Sequence, residues 1–226
     1  VYSEKGETIF GSIEKLNNTV SRSLFLDDTE VLLIQDKVLQ QKGINEIIDF
    51  LIQYRFVSSN IQLIIVKEHK ANTLLQTFFP VQKISALRIK EVLENNENNL
   101  GTAFKIVPST LKNTLLSKEN EITLPYITIS GTLEKGTSKE NIEVYSPKSM
   151  FKINGMAYFQ IDKLMGYLTN EESKMYSLLH NKLSKTNLVA ACPSGNGSMA
   201  LNVIDARTKI KLIKGNPVPT FEVKSS

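Results

Sequence analysis

The sequence predicts a mixed α and β protein, in which a sheet layered with helices is followed by a smaller strand-rich domain that carries one capped helix. Three observations support this prediction. Helical and strand-like periods alternate through the first half of the chain, which is typical of a sheet covered by helices. Short strand-like runs dominate the second half, and a polar segment without apolar periodicity separates the halves.

The first half opens with a predicted helix, because its apolar residues recur at spacings of three and four and therefore share one face. These residues are Ile9, Ile13, Leu16 and Val20. Two continuous apolar runs, EVLLIQ at residues 30–35 and IQLIIV at residues 61–66, predict strands that are buried on both faces. Helix and strand therefore alternate from the start of the chain.

A short helix and a longer helix are predicted between these strands, with Gly43 separating them. The apolar stripe of the longer helix consists of Ile44, Ile47, Ile48 and Leu51. Further helices are predicted around residues 71–78 and 84–96. The run EITLPYITIS at residues 121–130 predicts another strand, and Pro125 indicates a sheet edge or a bulge because proline has no N–H for the ladder.

The polar segment at residues 130–143 contains Gly131 and Gly136, which is typical of a linker or an exposed hairpin loop. We place the domain boundary within it. Residues 1–141 form the predicted N-terminal α/β domain, and residues 142–226 form the predicted strand-rich domain. We expect no continuous sheet to pass through both domains.

Strand-like runs fill the second domain, at residues 142–146, 151–160, 163–168, 187–192, 198–204 and 207–213. The last run alternates with period two, which predicts a basic face toward solvent and an opposite face toward the core. The basic residues are Arg207, Lys209 and Lys211, and the inward residues are Thr208, Ile210 and Leu212. A basic face can also contact an anionic partner, although a solvated strand face is the commoner explanation.

One helix interrupts these strands, at the end of the stretch DKLMGYLTNEES. Thr169 and Glu172 have the spacing of a capping box, in which each side chain accepts a hydrogen bond from an otherwise unpaired backbone N–H at the helix start. The apolar stripe of this helix consists of Met175, Leu178 and Leu179. Residues 162–168 are predicted as a hairpin strand, with Gly166 as a close approach between two backbones.

The composition is that of an ordinary globular protein with a sizeable core. The chain has 226 residues, of which 41% are hydrophobic and 22% are charged. The formal net charge is +4, but Lys and Arg form no local cluster broken by aromatic residues, so we predict no nucleic-acid partner. A single cysteine forms no disulfide within the chain, and stability must therefore come from packing.

No catalytic residue, cofactor-binding residue or metal ligand is predicted. His69 and His180 lack a cysteine or carboxylate at short spacing, which argues against zinc. Cys192 ends an apolar run and is interpreted as a small buried hydrophobe, and the glycine-rich stretch that it begins lacks the lysine of a phosphate loop. The adjacent Asp27 and Asp28 are typical of a turn or helix cap.

Three motifs carry a resemblance to a known family. They are RSLFLDDTEVLLIQDKVLQQKGINEIIDFL at residues 22–51, KLMGYLTNEES at residues 163–173 and RTKIKLIKGNPVP at residues 207–219. In this order they resemble the Ger(x)C family, the lipoprotein C subunits of nutrient germinant receptors in bacterial endospores. The resemblance implies a role in spore germination, with neither an enzymatic activity nor a cofactor.

The resemblance also implies a location and partners. Family members are held by an N-terminal lipid-attachment cysteine on the outer face of the spore inner membrane, and their partners are the membrane-embedded A and B subunits. This chain resembles the first family domain without its leading strand, followed by the second domain, with the family's C-terminal domain largely absent. We expect such a fragment, without its lipid anchor, to be soluble.

Two functions from different classes remain open. The first is a non-catalytic docking module, whose candidate surface is the junction before the capped helix, namely Lys163, Tyr167, Glu171 and Glu172. That junction can also be purely structural. The second is a soluble ligand-binding or enzymatic α/β domain with a site at the carboxyl ends of its buried strands. A signal peptide ending in a lipid-modified cysteine upstream favours the first function.

Overall fold

The protein is a mixed α and β protein with two sheets, and the predicted fold class is confirmed. A computed structural model describes residues 2–21, 24–54, 57–77, 79, 84–116, 121–131, 149–183, 185–193, 195 and 197–225. Within these residues there are seven α-helices and eight strands.

The predicted elements of the first half occur in the predicted order, and the structure adds a π-helical segment and α6, which were not predicted. They are α1 (Ile9–Thr19), β1 (Val31–Gln35), α2 (Asp36–Lys42), α3 (Asn45–Gln53), β2 (Gln62–Val66), α4 (Ala71–Gln76), α5 (Ser85–Asn95), a π-helical segment (Asn96–Leu100), α6 (Pro108–Leu116) and β3 (Glu121–Gly131). The elements of the second half are β4 (Ser149–Gln160), β5 (Lys163–Leu168), α7 (Asn170–Leu179), β6 (Thr186–Ala191), β7 (Ser198–Ile213) and β8 (Asn216–Ser225).

The larger sheet has the strand order β1-β2-β3-β4-β5, so it runs through both halves. Strands β1 to β3 are parallel, and β4 and β5 add to β3 as antiparallel strands. Our expectation of separate sheets is therefore wrong. Strand β3 pairs with β2 on one side only, and the hairpin of β4 and β5 supplies hydrogen-bond partners for the backbone groups on its other side. The boundary between residues 141 and 142, and the predicted strand at 142–146, lie outside the described residues, so both remain predictions.

The main core is shared by the two halves. Strand β2, an interior strand of the sheet, is buried along its whole length, as its apolar run predicts. Ile64 from β2 and Phe159 from β4 are both 0% exposed and belong to the same apolar cluster. Strand β1 differs from its prediction, because it is an edge strand and among its residues only Ile34 is buried. An edge strand has a neighbour on one side alone, so its side chains keep contact with solvent.

Pro125 marks a bulge rather than an edge. It lies in β3, a central strand, and the register against β4 shifts between Tyr126 and Ile127. Pairing with β2 begins only after the proline, where Tyr126 lies opposite Ile65. The proline is therefore accommodated beside an irregular part of the ladder, as its missing N–H requires.

The smaller sheet has the order β6-β7-β8 and is antiparallel. The two predicted runs at 198–204 and 207–213 form one strand of 16 residues, and β8 was not predicted because it contains Pro217 and Pro219. An edge strand tolerates these prolines. The hydroxyl of Thr186 ties this sheet to the first half by donating to the carbonyl of Leu100 at 2.8 Å.

The predicted inward face of β7 is only partly correct. Thr208 is buried under α7 and donates its hydroxyl to the carbonyl of Leu178. Ile210 and Leu212, further along the same face, are 59% and 76% exposed. Helix α7 is ten residues long and covers only the middle of a much longer strand, so the apolar residues beyond it face solvent.

Candidate interaction surface

The predicted capping box is present at the start of α7. The N–H of Glu172 donates to the hydroxyl of Thr169 at 3.3 Å, and the N–H of Thr169 donates to the carboxylate of Glu172 at 2.8 Å. This backbone hydrogen bond, followed by the bond from the Thr169 hydroxyl, lowers the pKa of the Glu172 carboxyl. The carboxylate is therefore already used by the fold.

The close backbone approach at this junction involves Gly155 rather than Gly166. Gly166 has open space where a Cβ would lie, so the prediction for it is wrong. Gly155, on β4, has a φ of +128°, and a Cβ there would overlap the carbonyl oxygen of Leu168 and lie 2.7 Å from the Ser173 hydroxyl. Only glycine adopts such a φ at little cost.

Ser173 locks the start of α7 onto the sheet. Its buried hydroxyl accepts a hydrogen bond from the N–H of Met156 at 3.0 Å and donates to the carbonyl of Leu168 at 3.3 Å. The hydroxyl of Ser177, one turn later, donates to the carbonyl of Ser173 at 2.7 Å. These bonds connect β4, the end of β5 and α7, so the junction has a structural role whatever else it does.

The structure separates the four candidate surface residues. Glu171 and Glu172 are exposed together in the first turn of α7, whereas Lys163 is exposed at the opposite end of β5. Five residue steps along a strand span about 17 Å, so Lys163 does not lie beside the two glutamates. Tyr167 is half-buried. The structure therefore does not bring the four residues together in one patch, and a docking role for any of them remains a prediction.

Tyr167 belongs to a cluster at the carboxyl ends of β1 and β2. Its ring packs edge-on against Tyr126 with the centroids 4.9 Å apart, and the ammonium of Lys67 lies 4.4 Å from the centroid of the Tyr167 ring. Its hydroxyl is buried and has no hydrogen-bond partner within the described part of the chain. Burial, followed by the charge of Asp36, raises the pKa of Tyr167 to about 12.

Asp36 uses both of its carboxylate oxygens to hold the ends of these strands. One oxygen accepts from the N–H of Lys37 at 2.7 Å, and the other accepts from the N–H of Glu68 at 3.0 Å. Glu68 has a φ of +65°, a left-handed conformation that this bond helps to maintain. No local sequence pattern predicted this cluster, although an aspartate directly after a buried-strand pattern was a signal for it.

We expect Tyr167→Phe to remove a pH dependence of stability in alkaline solution. A tyrosine titrates near pH 10 in an unfolded chain. Because the pKa is raised to about 12 in the folded protein, the folded state retains this proton longer, and stability falls as the pH rises from about 10 toward 12. Urea unfolding over this pH range should show a shallower fall for Tyr167→Phe.

The exposed Tyr2 provides the control for this measurement, since Tyr2→Phe also removes one tyrosine from the chain. Near neutral pH, Tyr167→Phe should leave stability nearly unchanged, because the ring remains and the lost hydroxyl has no partner in the described structure. A loss of more than about 2 kcal/mol at neutral pH would mean that the hydroxyl makes an essential bond.

An apolar groove with a volume of about 810 Å³ lies beside the junction, between α7 and β6. Its walls include Met175 and Leu179 from the helix and Leu188 and Val189 from the strand, and Glu171 lies at its rim. Met175 is 59% exposed, so the predicted apolar stripe of α7 is not fully covered by the fold. The groove was missed because no sequence pattern shows that β6 lies beside α7.

The described residues do not provide other recognisable chemistry. Within them, no group of three His, Cys, Asp or Glu side chains could hold a metal ion. Cys192 is half-buried at the end of β6, rather than fully buried as predicted. None of the described helices is long and apolar enough to cross a membrane.

Comparisons with known families match both halves of the chain. A family described as "Spore germination protein N-terminal domain" matches residues 1–129. A second, described as "Spore germination B3/ GerAC like, C-terminal", matches residues 154–226. The chain belongs to the Ger(x)C family of spore germination proteins. The predicted family is thereby confirmed by matches that follow one another along the chain in the family's own order.

Relatives of this Ger(x)C chain occur in Bacillus subtilis (strain 168). It is 26% identical over its whole length to "Spore germination protein KC" and covers 56% of that protein. It is 23% identical to "Putative spore germination protein YfkR" and covers 55% of that protein. The chain therefore spans about half the length of the curated relatives it matches.

A solved structure shares the fold. The crystal structure of the GerBC protein matches 95% of this chain with a TM-score of 0.52 and 15% sequence identity, and the match covers 57% of the GerBC chain. The structural similarity extends across both sheets. Because the sequence identity is low, the similarity establishes the fold and nothing about function.

Proposed function

We propose that this chain is part of the C subunit of a nutrient germinant receptor and that it acts in spore germination by docking to the membrane-embedded A and B subunits. The observation that carries the proposal is the pair of consecutive family matches, which together cover residues 1–129 and 154–226. In the full-length protein, an N-terminal lipid anchor holds the C subunit on the outer face of the spore inner membrane.

The chain works in this proposal without catalysis and without a cofactor. The charged group best placed for chemistry is Asp36, at the carboxyl end of β1, and backbone N–H groups occupy both of its oxygens. The neighbouring Lys67 lies over the rings of Tyr126 and Tyr167. These contacts support a structural role for the cluster, and they disfavour the alternative of a ligand-binding or enzymatic site at this end of the sheet.

Docking to a membrane-embedded partner needs only a modest surface. A lipid anchor confines the C subunit to the membrane and raises its local concentration there, so a weak contact is sufficient. We place this contact at the junction of β5 and α7. Glu171 and Glu172 present charges there, Lys163 presents a charge at the far end of β5, and the half-buried Tyr167 supports the strand that leads into the helix.

Deleting the gene in its spore former should prevent germination with at least one nutrient, and the full-length gene should restore it. Lys163→Glu and Glu171→Lys, introduced together, should slow nutrient germination about tenfold, the effect of losing roughly 1.4 kcal/mol of docking free energy. Glu171 is chosen over Glu172 because it lies outside the capping box. The measurement is the loss of optical density after each nutrient is added.

The matched control reverses one charge of each sign elsewhere, with Lys112→Glu on α6 and Glu14→Lys on α1, both exposed. Spores with this pair should germinate as the wild type does. If the null spores respond normally to every nutrient while a metabolic step fails, the receptor function is wrong. If germination fails in the null spores but the junction variant restores it fully, only the assigned surface is wrong.

A further inference from the structure

Helix α5 ends in an unusual turn. The N–H of Gly101 donates to the carbonyl of Asn96 at 2.8 Å, five residues earlier, and Asn96–Leu100 is therefore a π-helical segment. Turns of this kind are rare and are frequently found at functional sites. The eleven residues of α5 before the turn are α-helical, so the wide turn is a local feature whose role depends on what it contacts.

A buried pair of polar side chains holds the wide turn. Asn96 and Thr102 are both buried. The Thr102 hydroxyl donates to the side-chain oxygen of Asn96, and the side-chain nitrogen of Asn96 donates to the carbonyl of Val92 at 3.2 Å. Because a buried polar group that loses its partner is costly, this pair favours the π-helical geometry over any geometry that separates the two side chains.

The turn presents two backbone groups to the smaller sheet. Gly101 has a φ of +63°, and a Cβ there would overlap the Cδ1 atom of Leu183 and lie 3.1 Å from the carbonyl oxygen of Lys185. The carbonyl of Leu100 accepts a hydrogen bond from the hydroxyl of Thr186, at the start of β6, at 2.8 Å. Leu183 and Thr186 are buried, so the described chain itself encloses this contact.

A second attachment of the smaller sheet lies at the end of α7. The N–H of Thr208, on β7, donates to the side-chain oxygen of Asn181 at 2.7 Å, and Asn181 has a φ of +54°. Helix α7 is itself held on the larger sheet by the hydroxyl of Ser173. Among the described residues, the separate apolar cluster of the smaller sheet has three buried members, Leu183, Val203 and Ala206. With so small a core, the two attachments fix the position of the smaller sheet.

We propose that residues 96–101 form a latch that fixes the smaller sheet against the larger sheet and releases it when the π-helical turn closes to α-helical geometry. In the α-helical register, the N–H of Leu100 replaces that of Gly101 at the carbonyl of Asn96. The chain that follows is displaced by one residue, about 100° around the helix axis and about 1.5 Å along it. The contacts with Leu183 and Thr186 are then lost together, and the smaller sheet pivots about the end of α7 with its own ladders intact.

Limited trypsin digestion of the full chain measures the release, because Lys182 and Lys185 are exposed on either side of Leu183. A protease cleaves a segment that has left its folded position, so the cleavage rate reports the population of the open latch. Thr102→Val removes the hydroxyl bound to Asn96 with little change of shape, and it should speed cleavage at these two lysines about tenfold. Deletion of the exposed Asn98, which shortens the turn by one residue, should speed cleavage at least as much.

Two controls separate release of the latch from general destabilisation. Thr123→Val, on β3, also removes a buried threonine hydroxyl, one without a partner among the described residues, and it should leave the cleavage rate unchanged. In every variant, cleavage after Lys42, at the end of α2, should proceed as in the wild type. Wild-type cleavage of Thr102→Val at Lys182 and Lys185, or an equal increase at Lys42, overturns the latch.

Thr186→Val tests the coupling from the other side of the contact. The substitution removes the hydrogen bond to the carbonyl of Leu100, so it should also speed cleavage about tenfold. Because coupling between two sites is reciprocal, the backbone carbon chemical shifts of residues 96–101 should move toward those of a regular α-helix. Faster cleavage with unchanged chemical shifts would mean that the smaller sheet opens independently of the turn, and it would overturn the proposal. Both measurements use the chain without a partner, so their outcome does not bear on the proposed docking.

Discussion

Gly155→Ala is expected to destabilise the protein by at least about 3 kcal/mol. The backbone at this position has a φ of +128°, which L side chains rarely adopt. A Cβ would also overlap the carbonyl oxygen of Leu168 and approach the hydroxyl of Ser173 to 2.7 Å. That hydroxyl bonds to the N–H of Met156, so the substitution displaces the helix start together with the strand end.

The control is Gly166→Ala, eleven residues further along the chain. The space around Gly166 is open, so this change should cost less than about 1 kcal/mol. Urea unfolding of the two variants under the same conditions provides the comparison. Equal losses from both substitutions would contradict the packing of α7 against β4 described above.

Leu51→Ala is expected to cost about 2–5 kcal/mol, as truncation of a buried leucine usually does. Leu51 is 7% exposed and lies on the apolar stripe of α3 with Ile47 and Ile48. Removing its side chain leaves a cavity in the main apolar core, because close-packed neighbours relax only partly into the space.

The neighbouring Ile52 supplies the control for Leu51, because it lies on the same helix and is 46% exposed. Ile52→Ala should cost less than about 1 kcal/mol, and thermal unfolding measures both variants. An unchanged melting temperature for Leu51→Ala would mean that the stripe is not part of the core, and it would then be a candidate partner surface.

Several elements were predictable because their signals are local. Strand β2 is buried along its length, and a continuous apolar run predicted it. Gly43 ends α2 with a φ of +72°, and its position between two helical periods indicated the break. The capping box joins Thr169 to a glutamate three residues away, so a short window contains all the information required.

The candidate surface was less predictable, because sequence proximity and spatial proximity differ there. Lys163 and Glu171 are eight residues apart in the sequence, but the length of strand β5 separates them in space. Conversely, Leu188 approaches Met175 only because β6 pairs with β7 and α7 packs on β7. The periodicity within one segment does not show which other segments lie beside it in the folded protein.

By itself, the sequence determined the type and order of most elements, the apolar stripe of α3 and the start of α7, because each of these depends on residues within one segment. It also determined the family of the chain, because the family is indicated by an ordered set of motifs. Only the tertiary structure decided that β4 and β5 complete the first sheet, that Gly155 rather than Gly166 makes the close approach, and that Ile210 faces solvent. The physical reason is common to all three. Periodicity defines which face of an element is apolar, whereas strand order and helix length determine which parts of that face find a neighbour.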